Sequence, residues 1–242
     1  MDAMNFNYFK HFVCEIVLLV VGILLALQIT NWNELQKIEN EELSILENLL
    51  DDLKSAKEQS ESFIDKEERL KHYLFLALGK TVNKVKFNQN AISDGMFYEL
   101  LWNFEGNVPV INSYTDAKNT GKIVLIKNAE IRRSFTNLEV DINGLKFFIK
   151  DRLTVQQLRV DEIAINEINF VRLLNTQDST FNIDEETPND YQLILKNRKT
   201  RNILATKLEL TNKVIRYRRN LEIEIIKLIR LLNKEIKIRK KE

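Results

Sequence analysis

Glycine, proline and cysteine are scarce in this chain of 242 residues, which holds six glycines, two prolines and one cysteine. Folds rich in strands need frequent turns, and turns draw heavily on glycine and proline. The composition therefore favours long helices that are joined by few connections. Because Cys14 is the only cysteine, the sequence excludes an intrachain disulfide and a metal site built from several cysteines.

An excess of charge of one sign is also lacking, because 36 lysines and arginines face 35 aspartates and glutamates. No net field therefore favours nucleic acid or an anionic surface. The run Arg216, Arg218 and Arg219 is basic, but only Tyr217 could stack on a base, so we expect no nucleic-acid binding. An anionic partner in the cell envelope is the alternative for this patch, beside simple pairing with an acidic helix.

Catalytic motifs are missing as well. The two histidines, His11 and His72, form no His-Glu-x-x-His pair, and the glycines are too dispersed for a phosphate-binding loop. We therefore expect no catalytic residue, no cofactor and no metal site. The class of any small-molecule ligand stays open.

One long apolar run is present, over residues 12–32. Ile16 to Leu27 carry no polar side chain, and about 18 apolar residues would cross a bilayer core of roughly 30 Å as a helix. A cleaved signal peptide and a buried core helix are the alternatives. The exit from Ala26 to Trp32 lacks the small-x-small pattern of a cleavage site, which favours an uncleaved anchor.

Four residues of this run are candidate contacts within the membrane. Glu15 and Gln28 are polar groups near its two edges, where a partner or the interface would solvate them. Gly22 and Ala26 form a small-xxx-small pair that would let a second membrane helix approach closely. The partners to consider are therefore the lipid bilayer, a second copy and another membrane protein. Lys10 before the run indicates a cytoplasmic N-terminus and a periplasmic bulk, in the inner membrane of a bacterium.

The rest of the chain predicts an all-α fold. After a short lead (1–11) and the transmembrane helix (12–32), residues 33–242 should form an elongated antiparallel helical bundle. Apolar spacings of three and four residues predict long helices over about 33–78, 128–174 and 188–238, with a short helical insert over 93–126 and a loop over 80–92. Ser60 and Glu67 interrupt the apolar seam of the first helix. No residue near Trp32–Leu35 separates this helix from the transmembrane helix, and Gly79 should end it. Similar lengths favour an up-down-up order, with the acidic first helix beside the basic third.

Helix ends can be assigned from capping residues. Ser93 should cap the insert's first helix, and Ser113 with Asp116 forms a capping-box pattern for a second, which Gly121 would end. Asn128 should begin the second long helix. Thr187 followed by a proline predicts the start of the third.

An aromatic cluster lies in the insert, at Phe97, Tyr98, Trp102 and Phe104. Such a cluster either lines a ligand pocket or closes the end of a bundle as core. The sequence leaves both alternatives open.

The run from Glu15 to Glu34, with Gly-Ile-Leu-Leu-Ala-Leu-Gln-Ile-Thr-Asn-Trp-Asn-Glu at its end, resembles the N-terminal signature of a domain-of-unknown-function family. The members are small single-pass membrane proteins of Bacteroidota-type bacteria. A weaker resemblance covers Ser113-Tyr114 to Gly121 and continues to Asn128 and Arg132. The resemblance implies a membrane anchor with a helical extramembrane region, and it supplies no catalytic residue.

We therefore expect a non-enzymatic, membrane-anchored helical bundle that serves in protein interaction, assembly or scaffolding outside the cytoplasm. One alternative is a sensory input unit that binds a ligand at the aromatic insert and signals to a membrane partner. Another is an enzyme of unrecognised type.

Overall fold

A computed structural model describes residues 2–79, 81–82, 85–86, 92–157 and 161–241, and of these it describes the side chains from residue 15 onward except at 81–82 and 85–86. Side chains before that, including Lys10, His11 and Cys14, lie outside the described residues. In chain order the elements are α1 Asp2–Leu78, β1 Thr81–Val82, β2 Val85–Lys86, α2 Asp94–Trp102, α3 Asn112–Asn119, a 3₁₀ helix Lys122–Leu125, α4 Ala129–Val155, α5 Asp161–Asn166, α6 Phe170–Asn175, α7 Tyr191–Ile194 and α8 Arg198–Arg239. The predicted all-α class is confirmed.

Helix α1 joins the apolar run and the first bundle helix in one piece of 77 residues. No glycine or proline interrupts it between Gly22 and Gly79. Gly79 adopts a left-handed φ of 65° and its N–H donates to the Leu76 carbonyl, so it ends the helix as predicted. The predicted loop over 80–92 contains a short antiparallel pairing of β1 with β2, and the rest of that loop lies outside the described residues.

Helix α8 packs antiparallel on the part of α1 that runs from Glu42 to Leu78. Arg239, at the end of α8, lies 3.6 Å from Glu42, whereas Arg201, near its start, donates to the Leu78 carbonyl. Helix α4 packs on α8 and runs parallel to α1. The predicted up-down-up order is therefore wrong for the middle helix, because the insert over 93–126 itself carries the chain back to the start of the bundle.

The second and third long helices are shorter than predicted. The predicted helix 128–174 is α4, which ends at Val155, followed by α5 and α6 as separate short helices. The predicted helix 188–238 begins only at Arg198, where the Asn197 side chain caps α8. The residues after Thr187 start the short helix α7 instead, and the Asp190 carboxylate caps it by accepting the Leu193 N–H. The three helices therefore differ in length.

Two apolar clusters hold the bundle together. The first joins α1, α4 and α8 through buried side chains that include Leu49, Phe135 and Leu228. The second lies farther along α1 and includes Leu74 of α1, Phe97 of α2 and Leu204 of α8. Helix α8 contributes to both clusters, and it therefore fixes the ends of the bundle relative to each other.

Candidate functional site: an exposed helix section and two buried charge clusters

The first 26 described side chains of α1, residues 15–40, are all exposed, and we call this stretch the exposed section. Packing begins two residues later, at Glu42, which is fully buried. The exposed section includes large apolar side chains that a water-soluble surface would rarely present together, such as Leu18 and Leu19 at 68% and 63% exposure. It is one long apolar helix near the N-terminus, a feature that membrane anchors and signal sequences share.

All four predicted membrane contacts lie on the exposed section. Glu15, Gly22 and Ala26 fall on one side of the helix, because they are spaced by seven and four residues, whereas Gln28 points elsewhere. A Cβ atom at Gly22 would meet no atom within 4 Å. The Thr30 hydroxyl donates to the Ala26 carbonyl at 3.0 Å, so this polar group is satisfied within the helix itself.

A proximal charge cluster forms where the exposed section meets the bundle. The buried Glu42 carboxylate accepts the Lys127 backbone N–H at 2.6 Å, and the Arg239 guanidinium lies 3.6 Å from it. Glu235 in turn accepts from the Asn128 amide at 2.8 Å and pairs with Arg239 at 2.9 Å. The cluster ties α1, the start of α4 and the end of α8 together, ten residues after Trp32.

A central charge cluster lies about 37 Å farther along α1, at 1.5 Å per residue. Its carboxylate is Glu67, which accepts two hydrogen bonds from Arg152 at 2.6 and 2.7 Å and lies 3.6 Å from the Arg218 guanidinium. Both arginines also donate to the Glu105 carbonyl, at 2.9 and 3.0 Å. All three ionic side chains are at most 2% exposed, so α1, α4 and α8 meet at one buried ionic junction.

Aromatic rings cover the two guanidinium groups of this cluster. Arg152 lies 4.7 Å from the centre of the Phe104 ring, and Arg218 lies 5.2 Å from that of Phe63. Cation–π attraction of this kind offsets part of the cost of removing arginine from water. The cluster was not predicted as a site, although a glutamate at a seam position of the first helix was the signal that pointed to it.

Lys207 of α8 lies close to the same junction and is fully buried. Its ammonium group donates to the Leu100 and Leu101 carbonyls at 2.7 Å each, at the end of α2. Burial and the positive charge of Arg152 together lower the pKa of Lys207 to about 7, although the negative charge of Glu67 opposes them. This lysine is therefore a titratable link between α8 and the insert.

The predicted aromatic cluster divides among three surroundings. Phe97 is buried and its ring lies 4.5 Å from that of Tyr191. Tyr98 and Trp102 are brought together on Phe170, at 6.4 and 4.9 Å. Phe104 instead packs on Arg152, as described above. Sequence reasoning missed Tyr191 and Phe170, because both lie in regions that carry no aromatic pattern.

Within the described residues, no group of three or more histidine, cysteine, aspartate or glutamate side chains is placed so that it could hold a metal ion.

The sequence matches DUF6090, a family of unknown function, over residues 15–186. The chain belongs to this family. Comparisons with curated proteins and with solved structures found no match.

The region shared with DUF6090 begins at the first residue of the exposed section and ends before α8. Within it, residues 113–132 build the return from α3 to α4. Gly121 takes a left-handed φ of 73°, Asn128 caps α4, and Arg132 donates to the Lys127 carbonyl at 3.1 Å and to the Ile126 carbonyl. The DUF6090 segment therefore shapes the end of the bundle that faces the exposed section.

One capping prediction in this segment is wrong. Helix α3 begins at Asn112, and Ser113 lies inside it rather than at its cap. The Ser113 N–H donates instead to the Asp52 carboxylate at 2.7 Å, so a side chain of α1 satisfies the first turn of α3. Because Asp52 lies 61 residues earlier in the chain, the sequence around Ser113 could not predict this contact.

Proposed function

We propose that this DUF6090 protein is a single-pass membrane protein whose helical bundle serves as an interaction or assembly module outside the cytoplasm. The observation that carries the proposal is the exposed section. This apolar part of α1 is covered by no other part of the bundle, yet it continues without a break into the part of α1 that packs in the bundle. In water such a surface would be costly, whereas in lipid it is stabilised and its backbone is satisfied by the helix.

The placement of charge supports the same proposal. Two surface ion pairs flank the proximal charge cluster, Glu39 with Lys127 and Glu41 with Lys122. Trp32, the last residue of the apolar run, would lie at the interface. The polar end of the bundle would therefore stand just outside the headgroups, with the N-terminus in the cytoplasm and the bulk in the periplasm.

Membrane extraction tests the anchor. The full-length protein should stay in the membrane pellet after alkaline carbonate treatment and should keep an N-terminal tag, which a cleaved signal would lose. Val20→Lys combined with Leu24→Lys should release it, because each central lysine costs about 2.5–3.5 kcal/mol on insertion. The control is Leu35→Lys with Ile38→Lys, which adds the same charge outside the span. Release of the unaltered protein, or equal release of both variants, would contradict the anchor.

Reporter fusions test the orientation. A reporter that is active only in the periplasm should be active at the C-terminus, next to Lys241. Activity of a cytoplasmic reporter at that position would overturn the assigned side.

A sensory role is a second candidate, and one contact favours it. Helix α2, which carries the aromatic insert, packs directly on α1 through Leu70, Leu74 and Leu100. A ligand that displaced α2 would therefore act on the helix that continues into the membrane. Protection of α2 amides from hydrogen exchange on addition of periplasmic extract would support this candidate, and unchanged exchange there would count against it.

A further inference from the structure

On the membrane side of the bundle, the packed face of α1 continues without cover. One face of this helix is formed by residues at spacings of three and four: Leu35, Ile38, Glu42, Leu46 and Leu49. The last three are fully buried where α4 and α8 pack on α1, whereas Leu35 and Ile38 are 57% and 40% exposed. Two apolar side chains therefore protrude between the bundle and the membrane, on the side of α1 where α8 lies.

Helix α8 returns to this end of the bundle and ends above Leu35 and Ile38. Lys240 pairs with Glu47 at 2.7 Å, close to the proximal charge cluster. By the rise of a helix, the proximal charge cluster begins roughly 15 Å beyond Trp32, the residue assigned to the membrane interface. We call the space between this end of the bundle and the bilayer the notch. Leu35 and Ile38 form its wall on the side of α1.

The last turns of α8 carry three lysines that we call the basic stripe: Lys234, Lys237 and Lys241. They are exposed and spaced by three and four residues, on the side of α8 opposite the buried Leu232. None of the three forms an ion pair with another described residue. Ile238, in the same turns, is 43% exposed. Free cations combined with exposed apolar side chains are typical of protein surfaces that rest on anionic membrane interfaces.

Most acidic side chains around the notch already have a cation partner. The pairs are Glu39 with Lys127, Glu41 with Lys122, Glu42 with Arg239 and Glu47 with Lys240. Glu34 and Glu130 have no such partner among the described residues, and Lys37 and Arg133 on the same two helices balance their charge. Glu242 lies outside the described residues. The basic stripe therefore remains as surplus positive charge in the described part of this end.

We propose that the notch and the basic stripe bind the anionic lipid headgroups of the membrane that holds α1. This inference rests on the proposed function, because the anchor is what brings the end of α8 to the bilayer. The headgroup layer occupies about 5–7 Å on each side of the hydrocarbon core, so an upright bundle would stand roughly 8–10 Å above it. The distance is comparable to the Debye length of about 8 Å at physiological salt, so the lysines would already attract anionic lipid.

A tilt of α1 toward α8 would close the remaining distance. Membrane helices tilt by about 20° on average. The outer side of α8 lies roughly 15 Å from the axis of α1, so such a tilt would lower the basic stripe by about 5 Å, and the lysine stems would carry the charges farther down. The same tilt would bring Leu35 and Ile38 toward the interface, because they lie on the side of α1 that faces α8. Lipid contact would therefore fix the direction in which the bundle leans.

Headgroup quenching in nanodiscs tests the proposal on the full chain, with Cys14→Ser as background. Ile238→Cys carries a bimane fluorophore. The discs contain phosphatidylcholine, a lipid with a spin-labelled headgroup as quencher, and either no phosphatidylglycerol or about one-fifth of it. Quenching should be at least about threefold stronger with phosphatidylglycerol, and about 1 M salt should remove the difference, because it shortens the Debye length to about 3 Å.

A cysteine at the other end of the bundle gives the positional control. Ile165 is 79% exposed on α5, whose Ile163 belongs to the second apolar cluster. Bimane at Ile165→Cys should be quenched weakly and equally in both kinds of disc.

Charge reversal identifies the groups responsible. Lys237→Glu combined with Lys241→Glu should abolish the dependence of quenching on phosphatidylglycerol. The matched control is Lys196→Glu combined with Arg198→Glu, which makes the same change of charge at the start of α8, far from the membrane, and should leave the dependence intact. Circular dichroism of each variant separates loss of contact from loss of folding.

Equal quenching at position 238 in neutral and anionic discs, or equal effects of the two double variants, would overturn the proposal. Quenching that depended on the number of chains per disc rather than on the lipid would assign the notch to a second copy and would overturn it as well. Failure of the chain to enter discs would contradict the anchor instead. The labelled chain mixed with preformed phosphatidylglycerol vesicles would then decide the headgroup contact separately: salt-sensitive quenching would support it, and absent quenching would overturn it.

Discussion

Arg152 and Glu67 meet through two parallel hydrogen bonds, although 85 residues separate them along the chain. The pair is buried, and Arg218 approaches the same carboxylate from α8. Parallel hydrogen bonds of this kind fix both distance and orientation. The junction therefore sets the register of α1, α4 and α8 at one point.

Removal of the Glu67 carboxylate should be strongly destabilising, because it leaves two buried guanidinium groups without a counter-ion. For Glu67→Ala we expect a loss of about 3–5 kcal/mol of unfolding free energy, or a melting temperature lower by roughly 10 °C. The matched control is Glu68→Ala, which removes an exposed pair with Arg219 and should cost less than about 1 kcal/mol. Thermal unfolding in detergent, followed by circular dichroism, measures both. Equal effects of the two variants would contradict the assigned role of the junction.

Lys207 should make stability depend on pH. Its pKa is about 7 in the folded chain, against 10.5 for an ordinary lysine, so between these values the unfolded chain binds more protons. The unfolding free energy should therefore rise with pH from about 7 to 10.5, by at most about 1.4 kcal/mol per pH unit.

Lys207→Met should abolish this contribution, whereas Lys213→Met, at a partly exposed position on the same helix, should leave it unchanged. Urea unfolding at pH 7 and pH 9 gives the comparison. An identical pH difference in the unaltered protein and in Lys207→Met would show that burial does not perturb this lysine.

The two asparagine caps should differ in strength. Asn197 accepts the Lys199 N–H at 2.8 Å, and its change to alanine should cost about 1 kcal/mol. Asn128 caps α4 and also donates to Glu235, so Asn128→Ala should cost about 1 kcal/mol more. Chemical denaturation of both variants measures the difference. A larger loss for Asn197→Ala would mean that the contact with Glu235 contributes nothing.

Two glycines should respond to alanine in opposite directions. Gly121→Ala should destabilise the chain by about 1 kcal/mol, because a φ of 73° is unfavourable for a residue with a Cβ atom. Gly144→Ala should stabilise the isolated chain by roughly 0.5–1 kcal/mol, because it lies in a helix with open space around it. Melting temperatures of the detergent-solubilised variants decide this. If Gly121→Ala raised the melting temperature and Gly144→Ala lowered it, backbone conformation alone could not explain the two effects.

Much of the fold could be predicted from short-range patterns. The continuity of α1, the stop at Gly79 and the caps at Ser93 and Asn128 depend on neighbouring residues only, and each is confirmed. Periodicity failed at the end of α4, because Ile165 and Ile168 continue the predicted apolar stripe although the helix has already ended. Ile165 is 79% exposed on α5, and Ile168 packs on the second cluster beyond the end of α5 at Asn166.

The candidate site was less predictable. The exposed section was evident from its composition, since no partner is needed to recognise an apolar run. The central charge cluster forms where Glu67, Arg152 and Arg218 come together from three helices. In the sequence, only the glutamate within the apolar seam of the first helix indicated it. The parallel direction of α4 and α1 could not be predicted either. It depends on the insert, which returns the chain to the start of the bundle, and helix lengths carry no information about that path.

The pairing of α1 with α8 has a consequence for the order of biosynthesis. Glu42 and Glu47 pair with Arg239 and Lys240, at the end of α8 and almost 200 residues later in the chain. The apolar stripe of α1 therefore stays exposed until the ribosome has synthesised α8. Contacts this distant along the chain make folding slow and leave intermediates prone to aggregation. Nascent chains stalled before α8 should accordingly depend on chaperones, whereas the released polypeptide should not.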